Sequence, residues 1–203
     1  MWLYRWLPIQ DLPQHLASLR VVHEVHTGGP ASETYGVDLR HTQYLLFYVV
    51  GDFLAYFFQI RTAALLLFTA YMLGTVAAMH ALLRSLGRDP RLALLVVPLL
   101  TNSQFLLGLI QFLLGVPLML WGWSLAIDHL REGRRKDAAL LAVVAALTFY
   151  AHIVPFGVLL MGLAILAPWR SPRMLARYAL PLLPAGLLVA RSMSILIMRR
   201  ASL

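Results

Sequence analysis

Residues 92–127 form a run of 36 residues without one charged side chain, and this run limits the possible folds more than any other feature. As a single helix rising about 1.5 Å per residue, it would be roughly 54 Å long. The hydrocarbon core of a bilayer is only about 30 Å thick, and about 20 helical residues cross it. The run therefore predicts two membrane crossings, with a turn near residues 101–104.

The composition of the whole chain agrees with a membrane location. Hydrophobic residues make up 60% of the 203 residues, and only 13% of the residues are charged. A soluble domain contains about 25% charged residues, because its surface has to face water. We therefore predict an all-α fold, a polytopic bundle of transmembrane helices.

The remaining apolar stretches are residues 43–60, 62–83, 138–169 and 177–198. In the stretch at residues 138–169, His152 is the one side chain that interrupts the apolar run. We expect a turn near residues 152–155. The two halves of this stretch would be short for crossings, so a re-entrant hairpin is the competing interpretation. The pattern predicts about six crossings within residues 61–203. They would follow an outer-face region, residues 1–60, that contains amphipathic and juxtamembrane helices.

Three basic connectors separate the later stretches, at residues 84–91, 131–136 and 169–173. The positive-inside rule places all three in the cytoplasm, which requires an even number of crossings between them. The net charge of +8 then reflects these loops. Since the basic runs do not alternate with aromatic residues, we expect no nucleic-acid partner. Arg61, Gln104 and His152 are expected together at the outer face.

Asp11 and His15 are the first candidates for chemistry. A helix predicted over residues 11–26 would bring them to one face, because they are four residues apart. There they could act as a general-base pair or bind a divalent cation such as Mg²⁺ or Mn²⁺. The alternative is that Asp11 caps the helix, with Pro13 in the first turn and His15 on the surface.

Four further polar residues interrupt or border the apolar stretches. Arg61 suits a lipid phosphate at the outer interface, or it is only a snorkelling anchor. His152 is a functional candidate because ionisable groups are costly within a membrane. It could equally be a neutral histidine bonded to a neighbouring helix. Asn102 and Gln104 either line a substrate site or hold helices together.

Several chemistries have no support in the sequence. It contains no Walker loop, no GxGxxG after a strand, no HExxH and no GxSxG. It also contains no cysteine, which excludes disulfide and zinc-thiolate chemistry.

The order of the motifs along the chain carries a family resemblance. An Asp-x-Pro-x-His segment at residues 11–15 precedes the apolar YLLFYVV, and an Arg leads the membrane helix RTAALLLFTAYMLGTVAAMHALL. The segments PLLTNSQFLLGLIQFLLGVPLML and FYAHIVPFG follow. Over most of residues 9–169 this order resembles the integral membrane glycosyltransferases of the bacterial GT-C superfamily.

The resemblance implies a multi-pass protein of the bacterial inner membrane. It would move a sugar from a polyprenyl-phosphate donor to an acceptor at the outer face, in contact with membrane lipid. Asp11, beside His15, corresponds to the essential carboxylate of the first outer loop, which acts as a base or helps to place the acceptor or a metal. Arg61 corresponds to the helix-leading Arg near the carrier phosphate, where His152 is expected to assist. Gln104 and Asn102 would line the substrate.

The sequence also departs from this family. A membrane helix precedes the carboxylate in family members, whereas ten residues precede Asp11 here, and members usually have several hundred residues. We therefore expect a truncated relative. Residues 43–60 correspond to a juxtamembrane helix, although Asp52 within them leaves open whether they cross. The alternatives are a transporter component, with Asp52, His80 and His152 on one aqueous path, or a non-catalytic membrane protein.

Overall fold

The computed structural model describes residues 2–3, 8–38 and 43–201, with side chains up to Ser194. Parts of the predicted outer-face region, at residues 1, 4–7 and 39–42, lie outside the described residues. Within the described part, the regular structure consists of nine α-helices and three 3₁₀ segments, with no strand. The predicted all-α class is confirmed.

The N-terminal region contains two short helices, α1 (Leu12–Thr27) and α2 (Leu46–Ala55), with a 3₁₀ segment at Pro30–Glu33 between them. Asp11 is the N-cap residue of α1, and the helix ends at Gly28, whose φ of 73° is left-handed. The apolar face of α1 packs on α2 through Leu19, which is fully buried. The amphipathic helix predicted over residues 11–26 is confirmed.

Two long helices form the centre of the molecule, α3 (Ile60–Ser85) and α5 (Ile110–Glu132). They run in the same direction. At the end of α3, the hydroxyl of Ser85 lies 2.9 Å from that of Ser124 in α5, in a buried hydrogen bond. This pair satisfies two polar groups that would otherwise be buried without a partner.

The chain returns between these two helices through a 3₁₀ segment (Pro90–Leu99) and the five-residue helix α4 (Ser103–Leu107). The turn predicted near residues 101–104 is thus confirmed. The returning half is a 3₁₀ segment, because Pro98 within it cannot donate the hydrogen bond of a regular α-helix. At about 2.0 Å per residue, its ten residues extend only about 20 Å.

The following elements are α6 (Arg135–Ala151), α7 (Ile153–Leu166), α8 (Pro172–Ala179), a 3₁₀ segment (Leu180–Leu182) and α9 (Leu183–Ala201). The break between α6 and α7 falls at His152, where the sequence predicts a turn. The last apolar stretch is interrupted around Pro181, so that it forms parts of α8 and α9.

Three segments of the described chain are long and apolar enough to cross a membrane, namely Ile60–Ser85, Ile110–Glu132 and Pro172–Ser194. They support a membrane protein with transmembrane helices. The other apolar segments, α2, α7 and the 3₁₀ segment Pro90–Leu99, are shorter. A total of about six crossings therefore stays a prediction.

The three basic connectors meet at one end of the bundle. Arg131 donates a hydrogen bond to the carbonyl of Ser85, which ties the second connector to the first. Arg177 of α8 donates to the carbonyl of Gly133 at 2.5 Å, which ties the third region to the second. We call this the basic end. Because α3 is about 38 Å long, its first residue, Ile60, lies at the opposite end, where α1 and α2 pack.

Candidate functional site

A cavity of about 790 Å³ opens at the end of the bundle away from the basic connectors. Its walls come from α1, from the loop at residues 35–38, from the beginnings of α2 and α5, and from the break between α6 and α7. Besides aliphatic side chains, the lining contains the rings of Tyr35, Tyr44, Tyr48 and Phe112, the hydrogen-bonding groups of Ser18, Gln111 and His152, and the carboxylate of Asp38. Such a cavity has the size and character of a small-molecule site.

His152 enters this cavity from the break between α6 and α7. Its Nδ1 accepts a hydrogen bond from the backbone N–H of Val154 at 3.1 Å, which caps α7. Neutral His152 therefore carries its proton on Nε2, and that N–H is the donor left for a ligand. The rings of Tyr44 and Phe112 lie 4.9 Å and 5.6 Å from the imidazole, centroid to centroid, and fix its orientation.

Tyr48 connects the cavity to His15, one of the site residues predicted from the sequence. Its side chain lines the cavity, and its hydroxyl lies 3.0 Å from Nδ1 of His15. The polar side chains of Ser18 and Gln111 line the same cavity. Burial raises the pKa of Tyr48, which keeps the phenol protonated and able to donate.

His15, which is on α1, lies behind Tyr48. It is half buried near the turn that follows α4. Burial lowers its pKa below the ordinary 6.5, against the opposing effects of the Asp11 charge and of a hydrogen bond to the Gly108 backbone. In the neutral tautomer with the proton on Nε2, Nδ1 of His15 is the acceptor for the Tyr48 hydroxyl. His15 therefore has the protonation state of a base.

Asp11 is held beside His15 by the backbone. Its N–H donates to the carbonyl of Leu107 at 3.1 Å, and Gln10 donates to the carbonyl of Leu106 at 2.9 Å. This approach requires glycine at position 108. There φ is 86°, and a Cβ atom would lie 3.0 Å from the Asp11 nitrogen. Asp11 caps α1 without a side-chain hydrogen bond, and it does not line the cavity.

The other predicted residues are distributed around this centre. Asn102 accepts from the Phe105 N–H at 3.0 Å and so caps α4. Gln104 accepts from the Ser103 hydroxyl. Neither lines the cavity, and neither does Arg61, the exposed second residue of α3. Among the predicted residues, the structure therefore groups Asp11 with His15 and places His152 in the cavity wall.

The N-terminal helices also contain a histidine–carboxylate cluster that the sequence analysis did not single out. Asp52, buried on α2, lies between His23 and His26 of α1, with Oδ1 2.8 Å and Oδ2 2.6 Å from their Nδ1 atoms. The spacing of three between the histidines was the available signal, since it puts both on one helical face. The transporter alternative relied on Asp52 sharing a path with His80 and His152. In the described structure neither Asp52 nor His80 lines the cavity that contains His152.

The described residues include no group of three or more His, Cys, Asp or Glu side chains placed to hold a metal ion. The pair of Asp11 and His15 offers two donors, which is fewer than the coordination number of Mg²⁺ or Mn²⁺. A cation there would need water or substrate oxygens to complete its shell. The divalent cation stays a prediction.

Comparison with known proteins gives no match to this chain among protein-family models, curated proteins or solved structures. The resemblance to the GT-C superfamily therefore depends on the motifs quoted above.

Proposed function

We propose that this chain is an integral membrane glycosyltransferase, which moves a sugar from a polyprenyl-phosphate carrier to an acceptor hydroxyl at the outer membrane face. The observation that carries the proposal is the cavity of about 790 Å³ beside His15, at the end of the bundle away from the basic connectors. Aromatic rings pack against the C–H faces of a sugar, while amide, hydroxyl and imidazole groups pair with its hydroxyls. This combination is present in the cavity wall.

The proposed reaction needs a base for the acceptor. The acceptor oxygen forms a bond to the anomeric carbon, and the bond from that carbon to the carrier phosphate oxygen breaks, with its electron pair leaving on the phosphate. The acceptor proton passes to the Tyr48 hydroxyl as that hydroxyl gives its own proton to Nδ1 of His15. The negative charge of Asp11 stabilises the imidazolium that forms.

The leaving phosphate needs hydrogen-bond donors. Nε2–H of His152 is one donor in the cavity wall, and the resemblance assigns Arg61 as the cationic partner of the phosphate. The carrier's polyprenyl chain would remain in the bilayer beside the bundle. Arg61 does not line the cavity, so its part in this step depends on the resemblance alone.

The test uses membranes that contain the full chain, incubated with polyprenyl-phosphate sugars labelled in the sugar. Asp11→Asn and Tyr48→Phe keep the shapes of the side chains but weaken the base, and we expect each to reduce transfer by at least tenfold. Glu33→Gln is the matched control, because it removes an exposed carboxylate outside the cavity wall. Full transfer by Asp11→Asn at equal protein level would contradict its role in this mechanism, and the absence of transfer by the unaltered chain would contradict the proposed function.

A further inference from the structure

The basic end contains most of the positively charged side chains of the chain. Ten of the seventeen Lys and Arg residues of the chain lie in its three connectors and α8, against two of the nine Asp and Glu residues, and Asp128 and Asp137 flank the second connector. Nine of the cationic side chains are exposed, namely Arg84, Arg88, Arg91, Arg131, Arg135, Lys136, Arg170, Arg173 and Arg177. The net charge of the chain is thus concentrated at one end of the bundle.

The acidic residues at this end do little to neutralise the exposed cations. Glu132 and Asp137 both pair with Arg134, the one partly buried arginine of the group. Asp89 uses a carboxylate oxygen to accept the backbone N–H of Arg91. The structure records no side-chain hydrogen bond or ion pair for Arg84 or Arg88 among the described residues, so their guanidinium groups remain available to an outside anion.

Hydrogen bonds between the connectors bring these cations to one end of the bundle, and we call this group of exposed cations the ring. Arg131 and Arg177 each donate to a backbone carbonyl of a neighbouring connector, at Ser85 and Gly133. A guanidinium has five N–H donors, so each can still bind an anion on its outer side. The regions that carry the charges are therefore joined at one end of the bundle and are not independent loops.

The surroundings of the ring are typical of the depth of lipid headgroups. Large apolar side chains are exposed directly beside it, including Leu86, Leu92 and Ile165, which is 78% exposed. Trp169 is also exposed, and its indole N–H donates to the carbonyl of Ala164 at 2.9 Å. Tryptophan at the end of an apolar helix is typical of the membrane–water interface.

We propose that the ring of exposed Arg and Lys side chains at the basic end binds the phosphodiester headgroups of anionic phospholipids in the adjacent leaflet. Arginine pairs bidentately with phosphate oxygens. The apolar side chains next to the ring contact the acyl chains of the same lipids, which a soluble anion could not do. This binding is independent of the cavity at the other end.

The test measures the binding of phosphatidylglycerol and of phosphatidylcholine to the purified full chain in mixed detergent micelles, by lipid retention and by the shift in melting temperature. We expect tighter binding of phosphatidylglycerol. Each surface cation strengthens attachment to anionic lipid by about fivefold, so the combined variant R84Q/R88Q/R91Q should weaken it by about a hundredfold. Phosphatidylcholine binding should not change.

The controls separate the competing outcomes. Arg20→Gln removes an exposed cation on α1, at the other end, and should leave lipid preference unaltered. If the triple variant melts early in phosphatidylcholine, R170Q/R173Q replaces it as the deciding variant. Equal binding of the two lipids by the unaltered chain, or unchanged phosphatidylglycerol binding by a folded variant, would overturn the proposal. Stabilisation by inorganic phosphate equal to that by phosphatidylglycerol would overturn it as well.

Discussion

Individual side chains determine how the cavity is connected to the candidate base. Tyr48 lies 33 positions from His15 in the sequence, and Gln111 lines the same cavity from a third helix. The sequence could indicate that His15 and Asp11 share a helical face, because that depends on local spacing. It could not indicate Tyr48, because this contact depends on how α1, α2 and α5 approach one another.

The lowered pKa of His15 predicts a pH dependence of stability. Between pH 6.5 and its lower pKa in the folded chain, His15 binds a proton in the unfolded chain but not in the folded one. Its contribution to the free energy of unfolding is therefore complete above about pH 6.5 and falls as the pH is lowered below that value. Thermal melting of the purified chain between pH 7.5 and pH 5 measures this loss. His15→Gln should show a smaller loss, and an identical pH profile in that variant would contradict the assignment.

The cluster of Asp52, His23 and His26 predicts that replacing one carboxylate oxygen of Asp52 by an amide nitrogen lowers the stability of the chain. Asp52→Asn keeps the size of the side chain but leaves one oxygen to accept from two imidazole N–H groups. Leaving a buried polar group without its partner costs about 1–3 kcal/mol, so the melting temperature should fall. Glu33→Gln, which changes an exposed side chain, should melt like the unaltered chain. Equal melting of Asp52→Asn would mean that the cluster does not hold α1 on α2.

At the scale of elements, the sequence predicted where the apolar runs are broken better than it predicted the type and length of each helical segment. The break at His152 and the turn near residues 101–104 follow from the length of each apolar run, which exceeds one crossing. The 3₁₀ form of Pro90–Leu99 depends instead on Pro98 and on packing against α3. Hydropathy does not distinguish such a segment from a transmembrane helix.

The sequence left open whether residues 43–60 cross the bilayer, and the length and buried face of α2 bear on this question. Its ten residues extend about 15 Å, half of a bilayer core. Asp52 lies on its buried face, so the cost of a charge in lipid does not arise. The opposite face and the following turn expose Phe53, Tyr56 and Phe57 immediately before α3. We therefore expect α2 to lie along the membrane interface.

Fluorescence quenching tests the depth of α2. The chain has no cysteine, so Phe57→Cys carries a single environment-sensitive label. We expect stronger quenching by lipids with a spin label near the headgroup than by lipids labelled at the end of the acyl chain. Thr34→Cys, in the exposed loop after α1, should be quenched weakly by both. Strongest quenching of position 57 by the deep label would contradict the interfacial position.

At the scale of the whole molecule, the account depends on a separation between two ends. Charge counting predicts that the basic connectors share one side, and the hydrogen bonds from Arg131 and Arg177 bring those connectors together. The lengths of the apolar runs predict that the chain crosses to the other end and back between successive connectors. In the structure, His15, Tyr48 and His152 lie at that other end. The precise site could not be predicted, because Arg61, Asn102 and Gln104 share that end without lining the cavity.

The central claim is that the cavity and the basic connectors face opposite aqueous compartments. Single cysteines replace Thr34 near the cavity, Arg88 in the first connector and Arg135 in the second, all of them exposed. The measurement is labelling of intact cells with a membrane-impermeant maleimide, before and after the membrane is opened. The account predicts labelling at position 34 in intact cells, and at positions 88 and 135 only after opening. Equal labelling of positions 34 and 135 in intact cells would contradict it.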